Sequence, residues 1–279
     1  MFEIIKAIIY GIVEGITEWL PVSSTGHLIL LEEFIKMDVS PEFWSLFLVV
    51  VQLGAIIASA LLFWNKIWPF QKPDKAAGKT IFKTDTWMLL FKVGLACVPG
   101  VIFALLGIDD ICDKYFYNGT GVSIALIAFG IVFILVENWN KKRIAKYNTL
   151  ADVTFTLALY IGIFQLLAAA FPGTSRSGAT IIGALILGVS RTAASEFTFI
   201  LAIPAMLGAS LLELKDFLDM GLSMGGMEIA ILLVGVIVAF AVSVIVIKFL
   251  MSYIKKHDFK VFGWYRIVLG IVVLLYFML

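Results

Sequence analysis

The chain has 279 residues, of which 61% are hydrophobic and only 15% are charged, and its mean hydropathy is +1.03. No soluble domain of this size can bury that much apolar surface, so the composition predicts an all-α polytopic membrane protein. The near balance of 21 basic and 20 acidic residues excludes the basic footprint of a nucleic-acid-binding protein. Cys97 and Cys112 form no metal-binding pattern and are expected to be free thiols.

Six apolar stretches are long enough to cross a bilayer, since a transmembrane helix needs about 20 apolar residues. They lie at 42–64, 86–107, 121–139, 191–214, 228–250 and 262–279. Two further apolar stretches, 3–36 and 155–188, are broken near the middle by polar residues, so each half is too short to span. We therefore predict six transmembrane helices plus two re-entrant helix–loop–helix hairpins, whose tips must be buried in protein or line a cavity.

The first polar interruption runs from Gly11 to His27 and reads GIVEGITEWLPVSSTGH. Glu14 and Glu18 lie one turn apart on one helix face, where two carboxylates repel each other unless a proton or a cation lies between them. We predict that they bind a divalent metal, because Mg²⁺ commonly takes one or two carboxylates together with phosphate oxygens. The structural alternative is a pair that reaches the membrane interface. Gly11 and Gly15, on the adjoining face, predict close helix packing.

The turn that follows combines a helix stop with a cluster of hydroxyl groups. A proline ends the first helix, and Gly26 is expected to supply an unusual backbone angle. One of Ser23, Ser24 and Thr25 is expected to cap the next helix, whose free backbone N–H groups attract an anion. His27 follows directly in an apolar run, and we predict that it acts in catalysis or contacts phosphate.

The second interruption, GIFQLLAAAFPGTSRSGAT, ends at Thr180 and repeats the design without the acids. Gln165 and an alanine stand where the first copy has its glutamates. Arg176 lies between Ser175 and Ser177 at a helix start, and a guanidinium is a bidentate partner for phosphate. The structural alternative is that Arg176 only pairs with a glutamate of the first copy, which would leave the hydroxyl clusters unexplained.

The chain matches itself in three places and in the same order, which indicates duplication. The matches are Gly11–Pro21 with Gly162–Pro172, 42–55 with 196–209, and 130–132 with 270–272. We predict one integral membrane domain, 1–279, built from repeat units 1–140 and 150–279. Each unit has an odd number of spans, so the second unit is expected to sit upside down, as in inverted-topology repeats.

The charges of the connections agree with that topology. The basic connections are 65–85, 141–146 and 255–260, and the acidic ones are 32–38, 109–113 and 216–219. The positive-inside rule places the basic set in the cytoplasm, so the first hairpin enters from outside and the second from the cytoplasm. A hairpin of two full spans would give the same charge pattern, but the short apolar halves of each hairpin favour a re-entrant one. Glu42 and Glu196 are expected to be helix caps, and Arg191 an anchor at the cytoplasmic interface.

These residues resemble a known family. The segment 14–27, EGITEWLPVSSTGH, is similar to the (E/Q)xxxE motif and following turn of the bacterial undecaprenyl-diphosphate phosphatases of the bacitracin-resistance type, and 172–180, PGTSRSGAT, to that family's PGxSRSxxT motif. The resemblance covers essentially the whole chain. It implies a hydrolase of the bacterial cytoplasmic membrane that converts undecaprenyl diphosphate to the monophosphate carrier for cell-wall synthesis, and bacitracin resistance. It also implies dependence on a divalent cation, with Mg²⁺ expected and Ca²⁺ as the alternative.

The residue pattern and the resemblance together assign two sets of side chains. The predicted catalytic set is Glu14, Glu18, Ser24, His27 and Arg176, with Glu14 and Glu18 as the metal ligands. The predicted substrate-binding set is Ser23, Thr25, Gly26, Ser175, Ser177 and Thr180. The attacking group is left open between Ser24, His27 and a metal-bound water.

Inverted repeats with broken helices are also a transporter architecture, so the alternative function is a lipid-phosphate flippase or an anion- or proton-coupled secondary transporter. Two features favour the enzyme: the acids are confined to one copy, and a histidine lies beside a hydroxyl-rich turn. The expected partners are a polyprenyl diphosphate and the membrane, without nucleic acid. The sequence leaves the oligomeric state open, with a homodimer as one option.

Overall fold

The computed structural model describes residues 2–73 and 81–278, and within them the regular secondary structure is helical apart from two isolated β-bridges. The predicted cytoplasmic residues Lys75 and Lys79 lie outside the described residues, as does the side chain of Asp110. The helices are α1 (Phe2–Thr17), α2 (Ser24–Phe34), α3 (Pro41–Val50), α4 (Gln52–Leu62), α5 (Trp64–Ile67), α6 (Thr84–Leu105), α7 (Ile108–Phe116), α8 (Gly119–Asn140), α9 (Phe155–Ala170), α10 (Arg176–Ile186), α11 (Arg191–Asp219), α12 (Gly226–Tyr253) and α13 (Lys260–Met278).

Six segments of the described chain are long and apolar enough to cross a membrane, which confirms the six predicted spans. They are Pro41–Leu62, Thr84–Leu105, Gly119–Asn140, Arg191–Asp219, Gly226–Tyr253 and Lys260–Phe277. The first of them consists of α3 and α4, which Val51 separates. The chain is therefore a multi-pass membrane protein.

The two interrupted stretches form two helix pairs of equal dimensions. Helices α1 and α9 have 16 residues each, and α2 and α10 have 11 each. A helix of that length extends at most about 24 Å, less than the ~30 Å hydrocarbon core of a bilayer. Each pair returns to the end where it began. The backbone N–H of Asp38 donates to Glu3 Oε2 at 3.0 Å, and the N–H of Lys146 donates to the Gly188 carbonyl at 2.9 Å.

Each hairpin packs against a span from the other half of the chain, α1 on α12 and α9 on α6. Glycines make this approach close. A Cβ on Gly11 would lie 2.7 Å from the Gly235 carbonyl oxygen, and one on Gly15 would lie 2.8 Å from that of Ala239. A side chain at either position would collide with the backbone of α12, so the predicted role of Gly11 and Gly15 in helix packing is confirmed.

Helices α8 and α13 cross in the same close manner. A Cβ on Gly130 would lie 2.7 Å from the Gly263 carbonyl oxygen, and one on Gly270 would lie 2.9 Å from that of Ser123. The sequence match of 130–132 with 270–272 shifts Gly130 onto Gly270, and the same shift takes Ser123 onto Gly263. One contact therefore maps onto the other when the two halves are exchanged.

Glu196 and Arg191 have roles other than the expected ones, because each forms an ion pair. Glu196 lies inside α11 and pairs with Lys66 at 2.6 Å, so it is not a helix cap. Arg191 is more than an interfacial anchor, since its guanidinium binds the fully buried carboxylate of Glu137. Glu42 lies in the first turn of α3, but the N-cap is Ser40, so Glu42 is not a helix cap either.

Gly54 offers a test of this tight packing. A Cβ at Gly54 would lie 2.1 Å from the Val236 carbonyl oxygen of α12. Gly54→Leu should therefore lower the free energy of unfolding by at least about 3 kcal/mol, the upper end of the usual overpacking cost, because backbone must move. The measurement is thermal unfolding in detergent. Gly94→Leu is the matched control, because nothing lies within 4 Å of a Cβ there. Equal melting temperatures for the two variants would contradict this packing.

Candidate active site

The two hairpin tips share an unusual backbone feature. Ser23 has φ 74° and Ser175 has φ 73°, the positive values among the non-glycine residues that the structure describes. Each serine is the N-cap of the helix that follows: Ser23 Oγ accepts from the Gly26 N–H at 3.3 Å, and Ser175 Oγ from the Gly178 N–H at 3.2 Å. Left-handed conformations of non-glycine residues are strained and cluster at functional sites.

The expected conformational role of Gly26 was wrong. Gly26 lies inside α2, and the unusual angle belongs to Ser23. A Cβ on Gly26 would already touch Leu126 and Val122 of α8 at 3.4 Å. Gly26 therefore lies against α8 in the first turn of α2, where a Cβ would make only ordinary contacts, and Ser23 is the cap among the three candidate hydroxyls.

Glu18 joins the two tips. Its Oε1 accepts from Arg176 Nη2 at 2.7 Å, and its Oε2 accepts from Ser24 Oγ at 2.8 Å. Its backbone carbonyl also accepts from Ser177 Oγ at 3.2 Å. Arg176 thus pairs with Glu18, as the structural alternative held, but the pairing uses only one end of the guanidinium. Arg176 Nη1 is buried and has no hydrogen-bond partner among the described residues, so it is a donor available to a ligand.

A cavity of about 520 Å³ opens beside this chain of contacts. Five of the predicted site residues line it: Glu18, Ser24, Thr25, Ser175 and Arg176. Gln52 and Gln165 add side-chain amides, and the remaining walls are mainly apolar or backbone. A hydroxyl, a carboxylate and a guanidinium therefore lie at one end of an otherwise apolar pocket. Such a pocket suits a ligand with a polar head group and an apolar body.

Glu14 lies behind Glu18 and is fully buried, and neither of its oxygens has a hydrogen-bond partner in the part of the chain that the structure describes. Its charged neighbours are Glu18 and Arg176. A buried carboxylate without a partner is costly, so this position fits a cation or a proton. Among the described residues no three acidic, histidine or cysteine side chains are grouped as metal ligands. A metal here would rest on two carboxylates and on substrate oxygens, which is a set that Mg²⁺ accepts.

His27 is held by two partners and does not line the cavity. Its Nδ1 lies 2.6 Å from the Ser23 carbonyl oxygen, and its Nε2 lies 2.7 Å from the hydroxyl of Tyr265. A carbonyl only accepts, so Nδ1 carries a proton. The ring therefore fixes the backbone of the strained cap, and its predicted role in catalysis or phosphate contact stays a prediction.

Most of the remaining predicted substrate-binding residues support the tips from inside. Thr180 is fully buried, and its Oγ1 donates to the carbonyl of Arg176 at 3.0 Å. Thr198 of α11 in turn lies 2.9 Å from Thr180 Oγ1. Ser177, Ser23 and Gly26 are also buried. These side chains shape the loops, while Thr25 and Ser175 reach the cavity itself.

Sequence reasoning missed Arg266, although a charge in the last apolar span was a signal. Arg266 is fully buried in α13, where it donates from Nη1 to the Pro21 carbonyl at 3.3 Å and from Nη2 to the Gly173 carbonyl at 2.9 Å. One guanidinium thus connects the turn of the first hairpin to that of the second. Tyr265, the partner of His27, is its neighbour in the chain and was also missed.

The family model described as "Bacitracin resistance protein BacA" matches residues 7–272, which include both tips and Arg266. This chain belongs to the BacA family. Its relatives include the "Undecaprenyl-diphosphatase" of Enterococcus faecalis, 58% identical over 273 residues that cover 98% of this chain and 96% of the relative. That of Desulfitobacterium hafniense is 57% identical over 277 residues, 99% and 97% of the two chains. "Undecaprenyl-diphosphatase 1" of Clostridioides difficile is 56% identical over 279 residues, 100% and 98%.

Proposed function

We propose that this BacA-family chain is an undecaprenyl-diphosphatase, which hydrolyses undecaprenyl diphosphate to undecaprenyl phosphate and inorganic phosphate in a bacterial membrane. The family membership and the near full-length relatives of that name support the activity. The observation that carries the site is the chain of contacts from Ser24 through Glu18 to Arg176, at the point where the two hairpin tips meet.

The proposed membrane arrangement places both tips inside the bilayer. The short helices of each hairpin, their return to the starting end and the exchangeable contacts of α8 with α13 support two re-entrant hairpins in an inverted repeat of units 1–140 and 150–279. The basic connections face the cytoplasm under the positive-inside rule, so the first hairpin enters from the outside of the cytoplasmic membrane.

The proposed reaction starts with the diphosphate between the N-termini of α2 and α10, where backbone N–H groups favour an anion. Arg176 Nη1 donates to the terminal phosphate, while Nη2 keeps its bond to Glu18. Ser24 attacks the terminal phosphorus and its proton passes to Glu18 Oε2, the carboxylate oxygen that already accepts from it. The phosphorus–oxygen bond to the lipid phosphate breaks, and water then releases inorganic phosphate from the serine.

Glu14 and Glu18 would hold a divalent cation, with Mg²⁺ proposed first and Ca²⁺ as the alternative. Such an ion supplies positive charge against the phosphate oxygens. Because Glu18 is already bonded to Arg176 and Ser24, the unpartnered oxygens of Glu14 are the main protein ligands that remain. Substituting Glu14→Gln should therefore raise the Mg²⁺ concentration needed for half-maximal rate.

The deciding experiment measures inorganic phosphate released from undecaprenyl diphosphate by the purified chain in detergent, with and without a chelator. Detergent abolishes transport but not hydrolysis, so release supports the enzyme over a flippase or transporter. Ser24→Ala should abolish release, whereas the control Ser45→Ala, at an exposed position on α3 outside the cavity, should retain it. Acid-quenched single turnovers should show phosphate on Ser24 by mass spectrometry. An active Ser24→Ala variant, or a quenched enzyme without phosphoserine, would remove Ser24 as the nucleophile.

The hydroxyl of Tyr265 gives a smaller and separate effect. Tyr265→Phe removes the 2.7 Å contact to His27 Nε2 but leaves the contact of Nδ1 with the Ser23 carbonyl. We expect kcat/KM to fall by about 2- to 10-fold, the value of one ordinary hydrogen bond. Phosphate release measured across pH should also show a displaced profile if His27 transfers protons. Tyr160→Phe, at an exposed position on α9, is the control, and matching rates for both variants would contradict a role for Tyr265.

A further inference from the structure

The cavity at the active site continues into an apolar groove, formed by residues 97–105 of α6 and 204–212 of α11, with Ala168 and Ala169 of α9 beside them. At one end, Glu18 and Arg176 line the same cavity. At the other end, Leu105 and Leu212 are 81% and 61% exposed. In a membrane protein such leucines face lipid tails, so the groove connects the polar site to the hydrocarbon region of the bilayer.

The two glycines of this groove are not packing glycines. A Cβ on Gly54 or Gly162 would lie 2.1 or 2.2 Å from a backbone oxygen, so those glycines allow helices to touch. A Cβ on Gly208 would meet nothing within 4 Å, and one on Gly100 would meet only Gln165 Nε2, at 3.2 Å. Helix packing therefore does not require glycine at positions 100 and 208, where the missing side chains keep the groove wide.

A polar group marks the junction between the groove and the site. Gln165 lines the cavity and is nine-tenths buried, and its Oε1 has no hydrogen-bond partner among the described residues. A buried amide oxygen without a partner is costly unless a ligand or water satisfies it. Gln165 stands where the first repeat has Glu14, so the second hairpin presents a neutral group at this position.

We propose that the groove between α6 and α11 holds the first isoprene units of the polyprenyl substrate, with its diphosphate at Glu18 and Arg176; this rests on the proposed function. The cavity volume of about 520 Å³ is that of an ordinary small-molecule site and cannot hold eleven isoprene units. The rest of the chain lies in the bilayer beyond Leu105 and Leu212. Since these residues lie far along α6 and α11 from the basic connections, the tail leaves on the outer side of the membrane.

The test is to fill the groove without touching the phosphate site. Gly208→Trp should raise the KM for undecaprenyl diphosphate by at least about tenfold, since even one methylene in an apolar pocket is worth ~10–200-fold. Its kcat and the inhibition constant of inorganic pyrophosphate, which has no tail, should stay near those of the unmodified chain. Gly94→Trp, on the same α6 but outside the cavity and with open space around it, is the control and should leave KM unchanged.

Three other results of this experiment would contradict either the groove or the proposed function. An unchanged KM in Gly208→Trp would overturn the groove while leaving the phosphatase activity of the unmodified chain in place. A parallel loss of pyrophosphate inhibition would assign the defect to the phosphate site and would equally overturn the groove. If the unmodified chain released no phosphate at all, the proposed function itself would fail, and that failure is visible before any variant is made.

A second measurement needs no substitution in the groove. A prenyl diphosphate carrying a benzophenone in its first isoprene units is irradiated with the unmodified chain, and the labelled peptides are mapped by mass spectrometry. We expect adducts within 97–105 and 204–212. Adducts confined to α8, α12 or α13 would place the tail elsewhere and overturn the proposal.

Discussion

Replacing Arg176 by lysine should lower kcat/KM for undecaprenyl diphosphate by about 10²–10³-fold, the usual cost of losing one preorganised donor. Nη2 of Arg176 holds Glu18 Oε1 at 2.7 Å, and Nη1 is a buried donor without a partner in the described chain. A guanidinium can hold a carboxylate with one nitrogen and a phosphate with the other, whereas a single ammonium cannot reproduce that fork. The loss should therefore persist although the positive charge is kept. Phosphate release over a range of substrate concentrations gives both constants.

The control for that variant is Arg143→Lys. Arg143 lies at the opposite end of α10, where it stacks on Trp139 at 3.9 Å and donates to the Ile186 carbonyl at 3.3 Å. Its replacement should leave kcat/KM unchanged, and both variants should elute from gel filtration as the unmodified chain does. A near-normal rate in Arg176→Lys would show that Nη1 does not serve the phosphate and would return Arg176 to a purely structural pairing with Glu18.

The spans and the meeting of the two tips were predictable from the sequence, because they depend on the apolar length of each segment and on the charges of the connections. Apolar length predicts a span, and the lysines and arginines of the connections predict its orientation. Once the topology is fixed, the two interruptions are directed toward each other, and the contact of Glu18 with Arg176 across 158 residues follows as an expectation. The spacing of Gly11 and Gly15 on α1 likewise predicts close helix packing without knowledge of the partner helix.

The details inside the tips depend on competition that sequence patterns do not resolve. Ser23, Ser24 and Thr25 were equal candidates for the cap, and the structure shows that Ser23 is the cap. Ser23 therefore has the positive φ that the sequence pattern predicted at Gly26, because glycine adopts positive φ more easily than other residues. Nothing in the sequence near His27 indicates that its Nε2 meets the hydroxyl of a residue 238 positions away.

Two omissions had a signal that was available. Glu137 and Arg266 are charged residues within apolar spans, and the rule that singles out Arg176, that ionisable groups at membrane depth are functional or paired, applies to both. The structure shows Glu137 paired with Arg191 and bonded to the Phe259 N–H, a buried tie between connections. Polar residues cluster at the two interruptions, whereas Glu137 and Arg266 are single charges within continuous apolar spans.

Arg266→Met should lower kcat/KM by about 10²-fold, because a misplacement of about 1 Å at the reacting groups costs that much. Arg266 donates to the carbonyls of Pro21 and Gly173, one in each turn, and its nearest aromatic neighbours are Phe129 and Phe133, at 5.9 Å from ring centre to guanidinium. Methionine fills a similar volume but donates nothing, so both buried carbonyls lose a charged donor and the two turns lose their common anchor.

A double-mutant cycle separates this positioning role from a general loss of stability. If Arg266 acts by keeping the tips in register, Arg176→Lys should cost little more in a chain that already carries Arg266→Met, because the fork of Arg176 then has no aligned phosphate to bind. Arg191→Met, which breaks the remote pair with Glu137, should instead add its full effect to that of Arg176→Lys. Additive losses for Arg266→Met would show that the two arginines act independently and that the turns hold their register without α13.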